Sequence, residues 1–386
     1  MEAYLDNAAT TRVFPEVREM MVHVMEEDFG NPSSKHTKGI AAENYIKEAK
    51  ETICTQLKCK PKEIIFTSGG TESNNMAFIG TAIANRRAGK HVITTRIEHA
   101  SVHEPMAYLE EMGYDVTYLP VDSTGRVSVE ELENAIREDT FLISIMYVNN
   151  EVGSVQPIEQ IGQMLKKKHP QILFHVDAIQ AFGKYKIVPK KLGVDMMSVS
   201  GHKIHGPKGS GFLYVNEKVK IRPILFGGGQ QDGMRSGTEN VPAIAGLGVA
   251  VKEIYTGHLE KRAKLYELKK RLIAGLQDVD GVTINALIDP IEETAPHIVS
   301  VSFANTRSEV MLHALAQKGV FVSSGSACSS NHPELSGTLQ AIGVKSELLD
   351  STLRFSFSVM TTSEEIDYAI EVVKEALPVL RKFTRH

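Results

Sequence analysis

The sequence predicts an α/β fold: a large domain with a mainly parallel seven-stranded sheet, followed by a smaller α+β C-terminal domain. Three observations carry this expectation. Short apolar runs recur through the first two thirds of the chain, mostly β-branched or aromatic and without polar alternation, as suits strands buried on both faces. Helical patterns lie between many of them, the alternation that places a parallel sheet between helix layers. The last third changes character, with a long helix-like stretch, strand-like runs and a closing helix.

In chain order the apolar runs are 64–67, 91–95, 116–120, 141–148, 172–176, 196–200 and 211–215, with helical periodicity at 130–138 and 158–168. A helix-like stretch covers 241–278, with Pro242 near its start, where proline is tolerated. Strand-like runs follow at 298–303, 320–323 and 353–357. Ser363-Glu-Glu then opens a helix with Ile366, Ala369, Ile370 and Val373 at helical spacing. A chain of 386 residues exceeds what one core usually holds, so two domains are expected: 16–250, and 1–15 joined with 251–386.

Composition narrows the class. Hydrophobic residues at 42% and charged residues at 23% fit a soluble globular chain and argue against disorder. A formal net charge of −4 gives no basic footprint for nucleic acid. No basic segment followed by an apolar one marks a signal peptide, and no apolar run reaches the ~20 residues of a membrane span. The three cysteines, Cys54, Cys59 and Cys328, form no disulfide framework and suit a reducing cytoplasm.

Parallel sheets bind ligands beyond the carboxyl ends of their strands, so the residues following each run are the candidates. After 64–67 comes Ser68-Gly-Gly-Thr-Glu-Ser-Asn74, whose glycines and hydroxyls at a helix start suit a phosphate, or form a plain turn and cap. After 91–95, His99 is a ring-stacking or acid/base candidate, or a structural histidine. After 172–176, Asp177 needs a partner or serves as an N-cap. After 196–200 comes Gly201-His-Lys-Ile-His-Gly-Pro-Lys-Gly209. Lys203 at a buried strand end suits a Schiff-base nucleophile, whereas Lys208 reads as a solvated loop lysine. A Schiff-base lysine, an acid and a phosphate cup are the set that pyridoxal 5'-phosphate (PLP) requires.

With those residues in view, the chain resembles the PLP-dependent cysteine desulfurases of the NifS/IscS type over essentially its whole length. The motifs are Tyr4-Leu-Asp-Asn-Ala-Ala-Thr-Thr11, Phe29-Gly-Asn-Pro-Ser-Ser-Lys-His36, Thr67-Ser-Gly-Gly-Thr-Glu72, Ile97-Glu-His-Ala100, Asn149-Asn-Glu-Val-Gly153, His175-Val-Asp-Ala-Ile-Gln180, Ser198-Val-Ser-Gly-His-Lys203, Arg235-Ser-Gly-Thr-Glu-Asn240 and Ser323-Ser-Gly-Ser-Ala-Cys-Ser-Ser330. The resemblance implies an aspartate-aminotransferase-like PLP-dependent transferase fold, a homodimer, L-cysteine as substrate and a sulfur-acceptor protein as transient partner. It implies that Lys203 holds PLP, that Asp177 pairs with the pyridinium nitrogen, and that Gln180 meets the phenolic oxygen. His99 would stack on the ring and move protons. Gly70, Thr71, Ser200 and His202 would hold the phosphate, with Thr238 arriving from the other subunit. Asn149 and Arg354 would bind the substrate carboxylate, and a planar guanidinium suits that task. Asn31 and His36 would line the entrance.

Cys328 lies in a polar segment, about 323–337, with Gly325, Pro333 and Gly337 and no core periodicity, which favours a reactive thiol that takes sulfur as a persulfide. From Asn331 to Gly337 the sequence departs from the IscS branch, which leaves the acceptor open among iron–sulfur scaffolds, tRNA-thiolation proteins and other carriers. Cys54 and Cys59 flank Leu57 in a helical context and read as structural; they are too few for zinc, and no metal site is expected. The competing readings are a PLP aminotransferase, a selenocysteine lyase, or a scaffold that kept the fold without the chemistry.

Overall fold

The computed structural model describes residues 1–324 and 335–382. A short strand, β1 (Ala3–Tyr4), comes first. The next seven build one sheet: β2 (Ile64–Thr67), β3 (His91–Thr95), β4 (Asp115–Leu119), β5 (Thr140–Met146), β6 (Leu173–Asp177), β7 (Met196–Ser200) and β8 (Gly211–Val215). Their order is β2-β8-β7-β6-β5-β3-β4, and only β8 runs antiparallel to its neighbours. Adjacent residues of one strand fall into different apolar clusters. Ile93, Ile143 and Phe66 pack on one face, and Val92, Leu142 and Ile65 on the other. Both faces are therefore dry, which is why these strands lack polar alternation.

The C-terminal part is built differently. Strands β9 (Val282–Ile284), β10 (Ile298–Phe303), β12 (Ser323–Ser324) and β13 (Thr352–Ser356) form an antiparallel sheet in the order β12-β13-β10-β9, while β11 (Val320–Phe321) pairs in parallel with β1. One face of this sheet is apolar: Val299, Val301, Phe303, Leu353 and Phe355 pack with Leu265, Leu268 and Leu272 of the helix His258–Leu276 and with Ile366, Ala369 and Val373 of the helix Ser363–Leu380. The other face carries Ser300, Ser302, Thr352, Arg354 and Ser356, all buried.

Most elements lie where the sequence puts them, with three differences. The stretch 241–278 is two helices, Val241–Tyr255 and His258–Leu276, because Gly257 takes a left-handed conformation (φ 63°) between them. The run 320–323 splits between β11 and β12. The 130–138 helix shortens to Val129–Ala135, since Ile136 is already extended. The closing helix starts as expected, with Thr362 and Glu365 forming a reciprocal capping box.

Candidate active site

The carboxyl ends of β2, β3, β5, β6 and β7 open on a cavity of about 310 Å³. Its walls include Gly70, His99, Asp177, Gln180 and Lys203 from the large sheet, and Arg354 from β13. Ser200 closes β7 and His202 lies just beyond it, and with Gly70 and Thr71 they also line an adjoining open cleft that reaches Ser68, Gly69 and Lys208.

Each group is fixed by local chemistry. Lys203 Nζ donates to Ala8 O at 2.6 Å and Ala9 O at 2.7 Å, so the segment after β1 forms the opposite wall. Lys184 is buried beneath it and donates to Lys203 O at 2.7 Å; burial, reinforced by the charge of Lys203, pulls its ammonium down to about 7. Asp177, the last residue of β6, accepts from Asn74 Nδ2 at 2.9 Å and from Ile179 N–H at 3.0 Å. Burial pushes its carboxyl up, while these bonds and the charges of His99 and Lys203 pull it back.

His99 caps the helix Ala100–Glu111, and Ser101 N–H donates into its Nδ1 at 3.0 Å. That nitrogen is therefore bare, and the proton of the neutral ring sits on Nε2. Burial holds the ring below the usual imidazole range. Asn74 Nδ2 also donates to Ser101 Oγ at 2.9 Å, so one carboxamide joins the Asp177 and His99 sides of the cavity.

Arg354 is only 2% exposed. Its Nη2 meets Asp6 Oδ1 and its Nη1 meets Asn150 O, both at 2.9 Å, whereas its buried Nε has no partner among the described residues. A guanidinium pinned on two sides that lines the cavity and keeps a second N–H on each Nη is suited to an incoming carboxylate.

The donor set fits PLP. Gly70 is the first residue of the helix Gly70–Ala84, and a side chain there would have to displace the tip of Ile179, which lines the same cavity. Gly211 is needed for a similar reason: a Cβ would lie 2.5 Å from Val199 O and 2.8 Å from Gly69 Cα, where β8 passes the glycine loop. A helix start with Thr71, Ser200 and His202 around it suits a phosphate, Asp177 a pyridinium, and Lys203 an aldehyde carbon.

One expectation needs correction. Asn149 does not line the cavity. It is fully buried, its Nδ2 donating to Ile97 O at 2.9 Å and its Oδ1 accepting from Glu151 and Val152 N–H at 2.8 and 2.9 Å, so its carboxamide closes the turn after β5. The next residue, Asn150, lines the cavity instead. Asn31 and His36 make local bonds, to Ser33 N–H and Gly39 N–H, and neither lines the cavity. Thr238 is exposed and outside the cavity of its own chain, and Cys328 lies outside the described residues. Asn74, Ser101, Lys184 and Asp6 were not singled out from sequence. Only Asp6 and Asn74 carried a signal, as polar residues inside motifs otherwise read for their neighbours.

Elsewhere, Cys54 and Cys59 are free thiols with Sγ atoms 3.4 Å apart at the end of the helix Thr37–Leu57. No group of three potential metal ligands occurs among the described residues.

A family model described as aminotransferase class V matches residues 3–369, and the chain belongs to that family, with the fold of the type I PLP-dependent enzymes. Within it, the chain is similar to the cysteine desulfurase IscS of Methanosarcina thermophila, at 47% identity over 99% of this chain and 93% of that protein. A solved NifS-like protein superposes with a TM-score of 0.92 at 41% identity, covering 98% of this chain and all 100% of that one. SspA, solved in complex with cysteine, gives a TM-score of 0.79 at 36% identity over 93% of this chain and 100% of its own. The resemblance read from the motifs is borne out.

Proposed function

We propose that this chain is a PLP-dependent cysteine desulfurase that converts L-cysteine to L-alanine and leaves the sulfur as a persulfide on Cys328. The observation that carries the reading is the meeting of Lys203, Asp177, His99 and Arg354 around one cavity, in a chain 40–47% identical to proteins named cysteine desulfurase.

When bound, PLP supplies an electron sink for the charge that develops at the substrate Cα. Arg354 binds the substrate carboxylate through the N–H groups its Nη atoms have to spare, and the Asp6 and Asn150 contacts keep the guanidinium plane fixed. Lys203, as a neutral amine, takes the Cα proton. Asp177 holds the proton on the pyridine nitrogen, and Asn74 and Ile179 hold Asp177. His99 forms a ring-stacking wall and passes a proton through Nε2. Gly70, Thr71, Ser200 and His202 anchor the phosphate. The Cys328 thiolate attacks the substrate sulfur; the C–S bond breaks, the S–S bond forms, and the carbon skeleton takes up a proton and leaves as alanine. Cysteine plus thiol becomes alanine plus persulfide, with no external oxidant.

We take the active species as a homodimer in which Thr238, exposed here, reaches the partner's phosphate site, and the acceptor as a sulfur-carrying or iron–sulfur scaffold protein. We place the enzyme in the cytoplasm; among the described residues no helix is long and apolar enough to cross a membrane. The proposed domains are 16–250, and 1–15 with 251–386. Incubation with L-cysteine, assay of alanine and mass analysis of the Cys328 peptide test the reading. Alanine in proportion to added sulfur mass on Cys328 is expected; a keto-acid product with unmodified Cys328 would overturn it.

A further inference from the structure

Gln180 is held at both ends of its carboxamide. Its Nε2 donates to Ala8 O at 2.9 Å, and its Oε1 lies 3.1 Å from His297 Nε2, with Gln180 and His297 both buried. A carbonyl oxygen only accepts, so His297 donates from Nε2. Burial and the surrounding Lys184, Lys269, Arg354 and Lys203 keep the His297 ring neutral, with a single N–H. That proton is on Nε2, which leaves Nδ1 bare, and among the described residues the buried Nδ1 indeed has no partner. Gln180 follows β6, whereas His297 immediately precedes β10, so the bond links the large sheet to the C-terminal one. Ala8 O is shared with Lys203 Nζ, and one anchor alone leaves the carboxamide free to pivot.

Resting on the cofactor reading above, we propose that His297 is a positioning residue: it fixes Gln180 so that the cavity meets an N–H donor, rather than a carbonyl, at the phenolic oxygen of PLP. A donor beside that oxygen favours its ionised form, so loosening the donor raises the pH at which the bound chromophore titrates.

The test is the absorbance of the PLP-loaded enzyme against pH, without substrate. His297→Phe keeps the ring shape and removes the donor, and should raise the midpoint by about one pH unit, the size expected for one hydrogen bond to a charged oxygen. His297→Gln, whose amide nitrogen reaches the place of imidazole Nε2, can still donate to Oε1 and should keep the parental midpoint. In a Gln180→Ala background, His297→Phe should add no further shift. A parental midpoint in His297→Phe, or an equal further shift without Gln180, would overturn the proposal; His297→Leu carries the same expectation should the Phe variant not fold. A merely structural role would lower the melting temperature and leave the midpoint in place. A parent enzyme that takes up no PLP would overturn the cofactor reading itself, an outcome seen before any variant is made.

Discussion

The two sheets supply the cavity in different ways. In the large sheet the functional groups sit at strand ends: Asp177 closes β6, Ser200 closes β7 with His202 and Lys203 just beyond, and His99 caps the helix after β3. In the small sheet Arg354 sits in the middle of β13, flanked by Leu353 and Phe355, which point into the apolar cluster on the other face. At a strand end the chain turns out of the ladder, so neighbouring backbone can serve a buried polar group, as Ile179 N–H serves Asp177. A charge in mid-strand must be neutralised within the fold, and Arg354 depends on Asp6 and Asn150, more than 200 residues away in sequence. The first arrangement combines nearby backbone with distant partners; the second rests on distant partners alone.

The largest effect that would break this contrast is at a strand end. Lys203→Ala removes the proposed proton acceptor and covalent anchor while β7 stays paired on both sides, and alanine release should fall by about a thousandfold or more with thermal stability nearly kept. A variant that unfolded instead would show the strand ends to be structural too. Arg354→Gln comes next. It should lower kcat/KM for cysteine by about 10- to 100-fold, the worth of a charge-assisted hydrogen bond, and also lower the melting temperature because Asp6 loses its partner. A change in kcat/KM with no change in stability would erase the distinction between the sheets.

A smaller effect sharpens the comparison inside the large sheet. Glu98 is fully buried, its Oε1 accepting from Thr95 Oγ1 at 2.7 Å and Met146 N–H at 3.0 Å. Burial raises its carboxyl from 4.5 to about 8. A folded value above the unfolded one means the contribution is full below about 4.5 and is lost as pH rises through about 8. Relative to the parent, Glu98→Gln should gain stability over that window in urea titrations at several pH values, and a constant difference would refute the assignment. The smallest effect belongs outside both sheet ends. Cys54→Ala and Cys59→Ala should leave alanine release unchanged, since both thiols lie at the end of the helix Thr37–Leu57 and neither lines the cavity.

The same contrast explains what was legible in the sequence. Strands β2 to β8 announce themselves because both faces are dry, and Asp177, Lys203 and His99 follow from reading what comes after each. Arg354 was found only through the family motif, because nothing local says that a cation in an apolar strand faces a ligand. The Asn149–Asn150 pair shows the limit of motif reading: two identical side chains differ in role because a turn consumes one of them. Asn74 and Lys184 act through residues distant in sequence, Asp177 for one and Lys203 for the other, and no periodicity encodes such a pairing. Gly257, by contrast, was a readable break inside a stretch taken as one helix.

The segment after β1 adds a constraint of timing. Ala3 and Tyr4 pair with Val320 and Phe321, Asn7 Nδ2 donates to Ser356 O, and Ala8 presents its carbonyl to Lys203 and Gln180. On the ribosome, residues 3–8 emerge early, yet their partners near Val320 and Ser356 follow more than 300 residues later, a delay of about 15–70 s at typical elongation rates. During that interval the large sheet can form without its far wall. The nascent chain thus holds an unfinished cavity until β13 brings Arg354 to its wall.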